Sequence, residues 1–256
     1  MTLVACAQIV QRGDPDRFLA AMAAPPAARE VLFALYAFNV EVTRAPWVTQ
    51  EVMIAEMRLQ FWRDVADELG QGKQPRAHEV AVPLAKFIAP ELAPLLDQIA
   101  AARRWDIYKD AFEDQRHLDD YISTTSGNLM WVAARSLGAD AAAEAPVRDY
   151  GFAMGIAGFL RAVPDLEARG RIPLLDGTPQ GVRDLANRGL ECLQRARAAR
   201  HLVSKAAQAA LLPAWRAKST LKAARDMPER VIEGMLDESE FSRRTRLIWA
   251  TATGRV

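Results

Sequence analysis

LYAFNVEVTR, residues 35–44, is the stretch of this sequence that decides the fold. It continues a helical pattern whose apolar positions recur in steps of four, three, three and four at Ala28, Leu32, Leu35, Phe38 and Val42. That spacing lines one stripe of an α-helix, which needs a partner surface to bury it. The pattern therefore predicts a buried helix that Pro46 closes.

The same kind of pattern runs through the rest of the chain. Periodic segments rich in Ala, Leu, Arg and Glu alternate with short clusters of proline and glycine, and β-branched runs are scarce. We predict an all-α protein with one domain over residues 1–256. Besides the helix of the opening stretch, the predicted helices cover about residues 14–23, 51–69, 80–88, 90–108, 121–137, 149–162, 181–211, 215–225 and 228 onward.

Bulk properties exclude several classes of protein. The 33 Lys and Arg against 32 Asp and Glu give a net charge of +1, so no overall field favours nucleic acid as a partner. Cys6 and Cys192 lie far apart without a CxxC pair, which predicts neither a disulfide framework nor a zinc site. No apolar run approaches the roughly 18 residues of a membrane span, and the opening residues lack a secretory pattern. We expect a cytoplasmic protein, with peripheral membrane contact left open.

Two local features allow more than one interpretation. Gly155 and Gly158 interrupt an apolar helix at about 1 kcal/mol each, which indicates either tight helix packing or the wall of a cavity. The basic tail at residues 243–249 has aromatic and aliphatic residues interleaved. It could lie on an anionic membrane or a partner, but the favoured interpretation is a terminal helix that packs Leu247 and Trp249 inward.

Four segments, the first of them within the opening stretch, carry a resemblance to a known family. They are Leu35-Tyr36-Ala37-Phe38, then residues 57–63 (MRLQFWR), then Tyr121 with Gly127 six positions on, then Leu160-Arg161 followed by residues 169–174 (RGRIPL). In this order they resemble the squalene/phytoene synthase family over nearly the whole chain. The resemblance implies an isoprenoid-synthase-like helical bundle around a central cavity, in which two aspartate-rich motifs hold Mg²⁺ against a prenyl diphosphate.

The aspartates that such chemistry needs are missing from this sequence. Mg²⁺ neutralises the leaving diphosphate and is held by carboxylate oxygens that share one helix face. By the resemblance, the paired aspartates of the first motif fall at Thr43 and Arg44. In the second motif Ala162 follows Arg161, and Ala157 and Gly158 precede it. We therefore expect no metal site and no cofactor, with Glu41 and Asp165 as alternative Mg²⁺ ligands if the protein is active.

Other positions of the family pattern remain. Tyr121 occupies the place of a tyrosine that the resemblance assigns to catalysis, although packing against a cavity would also retain it. Candidate binding residues, for an isoprenoid lipid or a prenyl diphosphate, are Tyr36, Phe38, Asn39, Arg58, Arg161, Arg169 and Arg171. Arginine forks bind phosphate without metal, but they would ionise it poorly.

Three hypotheses follow. Residues 38–41 and 59–62 most resemble the branch of the family that includes an assembly factor for respiratory complex I, which implies action by binding a respiratory-complex protein or an isoprenoid lipid. The rival is an active prenyltransferase that condenses isoprenyl diphosphates at a non-standard Mg²⁺ site built from Glu41, Asp165 and Asp119 or Asp120. The third is an interaction protein whose cavity is filled by side chains.

Overall fold

The structure is a computed structural model that describes residues 3–253, and these residues form helices joined by short turns, with no β-strand among them. The all-α prediction is confirmed, whereas the single domain predicted over residues 1–256 reaches beyond the described residues at both ends and stays a prediction. The α-helices are α1 (Leu3–Gly13), α2 (Pro15–Ala23), α3 (Pro26–Arg44), α4 (Val52–Gly70), α5 (Ala81–Phe87), α6 (Ala93–Ala102), α7 (Gln115–Ile122), α8 (Asn128–Ser136), α9 (Glu144–Ala168), α10 (Pro179–Ala198), α11 (Ala217–Asp226), α12 (Glu229–Ile232) and α13 (Glu240–Thr253).

Helix α3 lies at the centre of the bundle. It packs against α1, α2, α5 and α8, and its residues are buried almost continuously from Val31 to Val40 rather than along one stripe only. A 3₁₀ turn at Ala45–Trp47, which contains Pro46, ends it as predicted. A helix buried on all sides carries polar side chains only where they have a use, which draws attention to Asn39.

Helix α1 was missing from the sequence prediction. Its buried residues Cys6, Ile9 and Val10 recur at helical spacing and pack against α3. The helical spacing of these residues was the signal in the sequence that identifies α1. The next helix agrees with its prediction, because Asp14 caps α2 by accepting a hydrogen bond from the Arg17 amide at 2.9 Å.

Helix α9 corrects a second expectation, since the sequence predicted that this helix ends at about residue 162, before Pro164. The helix instead runs through Pro164 to Ala168 and buries Val163 and Leu166 on the way. Gly170 caps the end of the helix, because its φ of +75° lets the amide of Arg171 bond to the Leu166 carbonyl at 3.1 Å. This glycine cap, six residues beyond the proline, is the true stop signal.

The segment predicted as one helix over residues 181–211 is divided. Helix α10 ends at Ala198, and 3₁₀ turns follow at Arg200–Leu202 and Ala207–Arg216. Ser204 separates the two turns, because its hydroxyl accepts a hydrogen bond from the Ala207 amide at 3.3 Å and so competes with helix continuation.

The helix predicted from residue 228 onward is divided into α12 and α13, and only half of the predicted packing of α13 is correct. Leu247 is buried, whereas Trp249 is 64% exposed because it lies on the opposite side of the helix. Within residues 3–253 no helix is both long enough and apolar enough to cross a membrane.

Candidate functional site

A central cavity of about 920 Å³ opens between α1, α2, α3, α9 and the turn that precedes α11. Its apolar wall includes Ile9, Val40, Ile122, Met154 and Phe159. Its charged lining is mostly cationic and consists of Arg12, Arg17, Arg44, Arg103, Arg161 and Arg216, with Asp14, Asp16 and Asp106 as the lining carboxylates. The cavity therefore suits a molecule with an apolar body and an anionic or polar head.

Helix α3 presents the positions of the first motif to this cavity. Asn39, Thr43 and Arg44 all line it, and the spacing of four between Asn39 and Thr43 puts these two on one face of the helix. The side-chain oxygens of Asn39 and Thr43 are buried without a hydrogen-bond partner. Arg44 pairs with Glu41 at 3.0 Å along the same helix. Where the resemblance expects two acidic side chains, the cavity has a hydroxyl and a guanidinium.

Helix α9 forms the opposite wall, where Gly155, Ala157, Gly158, Arg161 and Ala162 line the cavity. The glycines differ in their surroundings. A Cβ added at Gly155 would lie 2.7 Å from Ile122 Cγ2, so this glycine allows close packing. A Cβ added at Gly158 would meet nothing within 4 Å, so this glycine leaves space in the cavity. Both interpretations left open by the sequence are therefore realised, one at each position.

Arg161 belongs to an arginine–aspartate network made of Asp16, Asp237, Arg161, Arg216 and Arg243. Nη1 of Arg161 and Nη1 of Arg216 donate to Asp16 Oδ2 at 3.1 Å and 2.6 Å, and Arg243 donates to the other oxygen of Asp16. Asp237 receives Nε of Arg161 at 2.9 Å and Nη2 of Arg216 at 2.7 Å. The network closes one side of the cavity with three cations around two anions.

The charges of this network change how Asp16 titrates. Burial opposes ionisation of its carboxyl, but attraction by Arg216, Arg161 and Arg243 outweighs that effect and lowers the pKa below its ordinary value. Asp16 is therefore a fixed anion at neutral pH. Since its oxygens are already occupied by three guanidinium groups, little capacity remains for a metal ion.

Tyr121 forms a second buried cluster at the cavity wall. Its hydroxyl donates to Asp106 Oδ2 at 3.0 Å and accepts from Arg103 Nη1 at 2.8 Å. Burial raises the pKa of the Tyr121 hydroxyl, so the phenol stays protonated and remains a donor. Burial also raises the pKa of Asp106, although Arg103 and Tyr121 oppose that rise. The carboxylate is held by these two partners rather than exposed to a ligand.

Aromatic rings surround this cluster. Trp105 stacks on Phe112 with centroids 4.0 Å apart, and the Tyr121 ring lies 5.5 Å from Phe112 and 6.4 Å from Phe159. Phe159 also lines the cavity. This wall offers the apolar surface on which a hydrocarbon chain would pack.

Of the predicted binding residues, Asn39 and Arg161 line the central cavity, as does the predicted catalytic residue Tyr121. Tyr36 and Phe38 are buried in the core, where Phe38 contacts Trp62 edge to face at 5.5 Å. Arg58 is exposed on α4. These three residues do not line the cavity.

The two arginines after α9 have different surroundings. Arg169 is exposed and lies over the Trp47 ring at 4.7 Å. Arg171 is buried, donates to the backbone carbonyls of Trp105 and Asp106 at 2.6 Å and 2.9 Å, and covers the Trp105 ring at 3.9 Å. Arg171 thus fastens the segment that carries Asp106 to the end of α9.

The alternative metal ligands do not come together at the cavity. Glu41 pairs with Arg44, and Asp165 is exposed on α9; neither lines the cavity. Asp119 pairs with Arg188, and Asp120 lies 3.8 Å from Arg116 on the surface of α7. Among residues 3–253 no group of three or more His, Cys, Asp or Glu side chains could hold a metal ion. The donor set does not fit the Mg²⁺ ions that the family resemblance implies.

Several lining residues were not singled out from the sequence. Asp16 lies two positions after the cap Asp14, and Arg216 lies 200 positions further along the chain. Only folding brings them together, so no spacing rule identifies the pair. Arg103 and Asp106 carried a weak signal, because they are charged residues within two positions of Trp105 and follow the apolar residues 99–102.

Similar proteins agree on one family. The family model for squalene/phytoene synthase matches residues 10–174. The NADH dehydrogenase (ubiquinone) complex I, assembly factor 6 homolog of Drosophila melanogaster is 31% identical over 181 residues, 66% of this chain and 53% of that protein. Complex I assembly factor 6 of Bos taurus is 28% identical over 170 residues, 65% of this chain and 51% of that protein. The chain spans about half the length of these curated relatives.

Solved structures agree with the fold. A dehydrosqualene synthase in complex with ligand has a TM-score of 0.81 at 16% identity. The alignment covers 98% of this chain and 95% of that structure. Squalene synthase HpnC from Alicyclobacillus acidocaldarius has a TM-score of 0.72 at 16% identity, and the alignment covers 89% of this chain and 94% of that structure. At such identity these structures establish the isoprenoid-synthase-like fold. The family match over residues 10–174, more than half of the chain, shows that the chain belongs to the squalene/phytoene synthase family.

Proposed function

We propose that this protein acts by binding rather than by metal-dependent prenyl transfer, and that it serves the assembly of a respiratory complex I. The observation that carries the proposal is the state of the carboxylates around the central cavity. Asp14 and Asp16 pair with arginines, and Asp106 is held by Arg103 and Tyr121. Cations occupy the environment in which a prenyl diphosphate synthase needs free carboxylates for Mg²⁺.

The assembly role is supported by the relatives. Those from Drosophila melanogaster and Bos taurus are named as complex I assembly factor 6 or its homolog, and this chain matches about half of each. A protein that assists assembly needs a stable binding scaffold and no turnover. The retention of the fold with altered metal positions is consistent with that requirement.

The open cavity argues against the hypothesis that side chains have filled it. About 920 Å³ remain, with Phe159 on the apolar wall and Asn39 offering an unpartnered oxygen. We therefore include an isoprenoid lipid, such as a quinone, among the ligands of the proposed function. Its hydrocarbon chain would pack against the apolar wall, and its polar head would face the arginines.

Turnover tests the loss of catalysis directly. Purified protein is incubated with Mg²⁺ and farnesyl or geranylgeranyl diphosphate, and released diphosphate is measured. We expect no release above the protein-free control. Release at enzyme-like rates, on the order of 1 per second, would contradict the proposal and favour the active prenyltransferase.

Genetic loss tests the assembly role. Deletion of the gene in its host should lower the amount of assembled complex I and its NADH:ubiquinone oxidoreductase activity, and the wild-type gene should restore both. An unchanged amount and activity of complex I in the deletion strain would contradict the assembly role.

A cavity-filling variant separates lipid binding from the assembly role. Gly158→Leu places a side chain in open space, whereas the matched control Gly158→Ala leaves most of the cavity free. We expect a short-chain ubiquinone or farnesol to bind wild type and Gly158→Ala in calorimetric titration, and not Gly158→Leu. Equal binding by all three would place any lipid elsewhere. Restoration of complex I by Gly158→Leu would show that assembly does not depend on the cavity.

A further inference from the structure

We propose that a second pocket, formed after the matched family region, binds an organic anion that carries a phosphate group. This second pocket has a volume of about 690 Å³ and lies between α9, α10, α11, α13 and the turn at Ala207–Arg216. Among residues 3–253 it shares no lining residue with the central cavity. Within that part of the chain, Tyr150 is its only lining residue that belongs to the matched residues 10–174.

The charged side chains that line the second pocket are cationic. Arg197, Arg200, Lys218 and Arg246 line it, and no Asp or Glu lines it among the described residues. Arg246 pairs with Glu238 at 2.8 Å, but within residues 3–253 Lys218 has no acidic partner. Arg197 lowers the pKa of Lys218, as do burial, Lys222 and Arg246. Such crowding of like charges is relieved when an anion binds among them.

Two buried donors provide an independent indication of a ligand. Tyr150 is completely buried, Trp215 is 3% exposed, and neither the Tyr150 hydroxyl nor Trp215 Nε1 has a hydrogen-bond partner within the described part of the chain. Both side chains line the second pocket. Burial raises the pKa of the Tyr150 hydroxyl, so it remains a donor. Leaving buried donors unpaired is unfavourable, and an anionic oxygen would satisfy them.

The composition of the walls indicates the chemistry of the ligand. Arginine forks match the oxygen geometry of phosphate, and charge-assisted bonds from arginine are the strong ones. The rings of Trp215 and Trp249 provide apolar surface beside the cations. A pocket of this volume has room for an organic body as well as for the phosphate. That body could belong to a soluble metabolite or to the headgroup of an anionic lipid.

Tryptophan NMR tests the proposal at the site itself. The chain has six tryptophans, of which Trp215 and Trp249 line the second pocket and Trp47 lines the central cavity. Protein labelled with ¹⁵N at the indole nitrogens is titrated with inorganic diphosphate in the absence of metal, and each signal is assigned by a Trp→Phe variant. We expect saturable shifts of the Trp215 and Trp249 signals.

Charge-removal variants show whether the response comes from the second pocket. Lys218→Gln should weaken diphosphate binding about tenfold, because it removes an exposed cation of the lining. The matched control is Lys222→Gln, on the same helix but outside the lining, and it should bind as wild type does. The proposal fails if the Trp215 signal does not move, or if Lys218→Gln responds with wild-type affinity.

Vesicles distinguish the two sources of phosphate. Phosphatidylcholine vesicles with and without phosphatidylglycerol are sedimented with wild type, Lys218→Gln and Lys222→Gln. Sedimentation that requires phosphatidylglycerol and is lost only in Lys218→Gln supports a lipid headgroup, whereas an NMR response without sedimentation supports a soluble ligand. A shift of Trp47 alone, with no sedimentation, would place the anion in the central cavity and overturn the proposal.

Discussion

Tyr121 and Arg171 act on the same short segment of backbone, because both contact Asp106. Tyr121 donates to its carboxylate, and Arg171 donates to its carbonyl and to that of Trp105. Two residues that the family pattern associates with a ligand thus also stabilise the cavity wall. Substitutions at either residue should therefore lower the stability of the fold, in addition to any effect on ligand binding.

Tyr121→Phe should lower the free energy of unfolding by about 1–3 kcal/mol. The change removes a donor to the buried Asp106 and leaves Arg103 as its partner. Urea denaturation of wild type and variant measures the difference. A variant as stable as wild type would mean that the hydroxyl is free for another role.

Arg171→Lys should destabilise the protein by about 2 kcal/mol, since a lysine cannot bond both carbonyls as a planar fork and cover the Trp105 ring. Arg169→Lys is the matched control, because Arg169 is exposed, and it should stay within about 0.5 kcal/mol of wild type. Thermal or urea unfolding compares the two. Equal effects would contradict the structural role of Arg171.

At the scale of the element, α9 shows how one helix serves both packing and the cavity. Its first glycine, Gly151, lies against the π-helical turn Ser123–Gly127, where an added Cβ would approach Gly127 Cα and the Ser126 carbonyl to 2.8 Å. Two turns later Gly158 faces open space. The glycines therefore have opposite tolerances to substitution.

Gly151→Ala should destabilise the protein by about 2 kcal/mol, because the backbone it meets cannot move aside. Gly158→Ala should instead stabilise it by about 0.5–1 kcal/mol through helix propensity. Urea denaturation of the two variants tests both signs. Changes in the same direction would refute the division of roles along α9.

Helices with a clear apolar period could be predicted from the sequence, and α3 and α4 begin and end within a few residues of their predicted bounds. The predicted helix bounds were wrong where a local residue signal and the apolar period disagreed. Pro164 indicated an end to α9, but burial of Val163 and Leu166 carries the helix on to the cap at Gly170. The hydroxyl of Ser204 divides a segment whose composition favoured one helix.

At the scale of the whole molecule, the candidate site was partly predictable. Asn39, Tyr121 and Arg161 could be placed because each belongs to a local pattern with a family counterpart. The partners of Arg161 could not, since Asp16 and Asp237 lie 145 and 76 positions from it along the chain and no local pattern joins them. Long-range charge pairing depends on the finished fold, which a single sequence does not display.

Asp16→Asn should destabilise the protein by about 2–3 kcal/mol at neutral pH, because Arg216 is 4% exposed and would lose its closest anion. The arginines lower the pKa of Asp16 from its ordinary value of 3.8, so the stabilisation is present above that pH and is lost as pH falls through the lower folded-state value. Urea denaturation from about pH 7 to about pH 3 should therefore show the difference between wild type and variant shrinking with acidity. A difference independent of pH would contradict the ionised state of Asp16.

The separation of Asp16 and Arg243 along the chain has a consequence for synthesis. A nascent chain that has emerged only through residue 174 contains Asp16 and Arg161, but not Arg216, Asp237 or Arg243. One side of the cavity then stays open until residue 243 leaves the ribosome. Ribosome-arrested chains should accordingly gain protease resistance there in a late step, once residue 243 is free. Closure of the cavity thus reports that synthesis has passed residue 243.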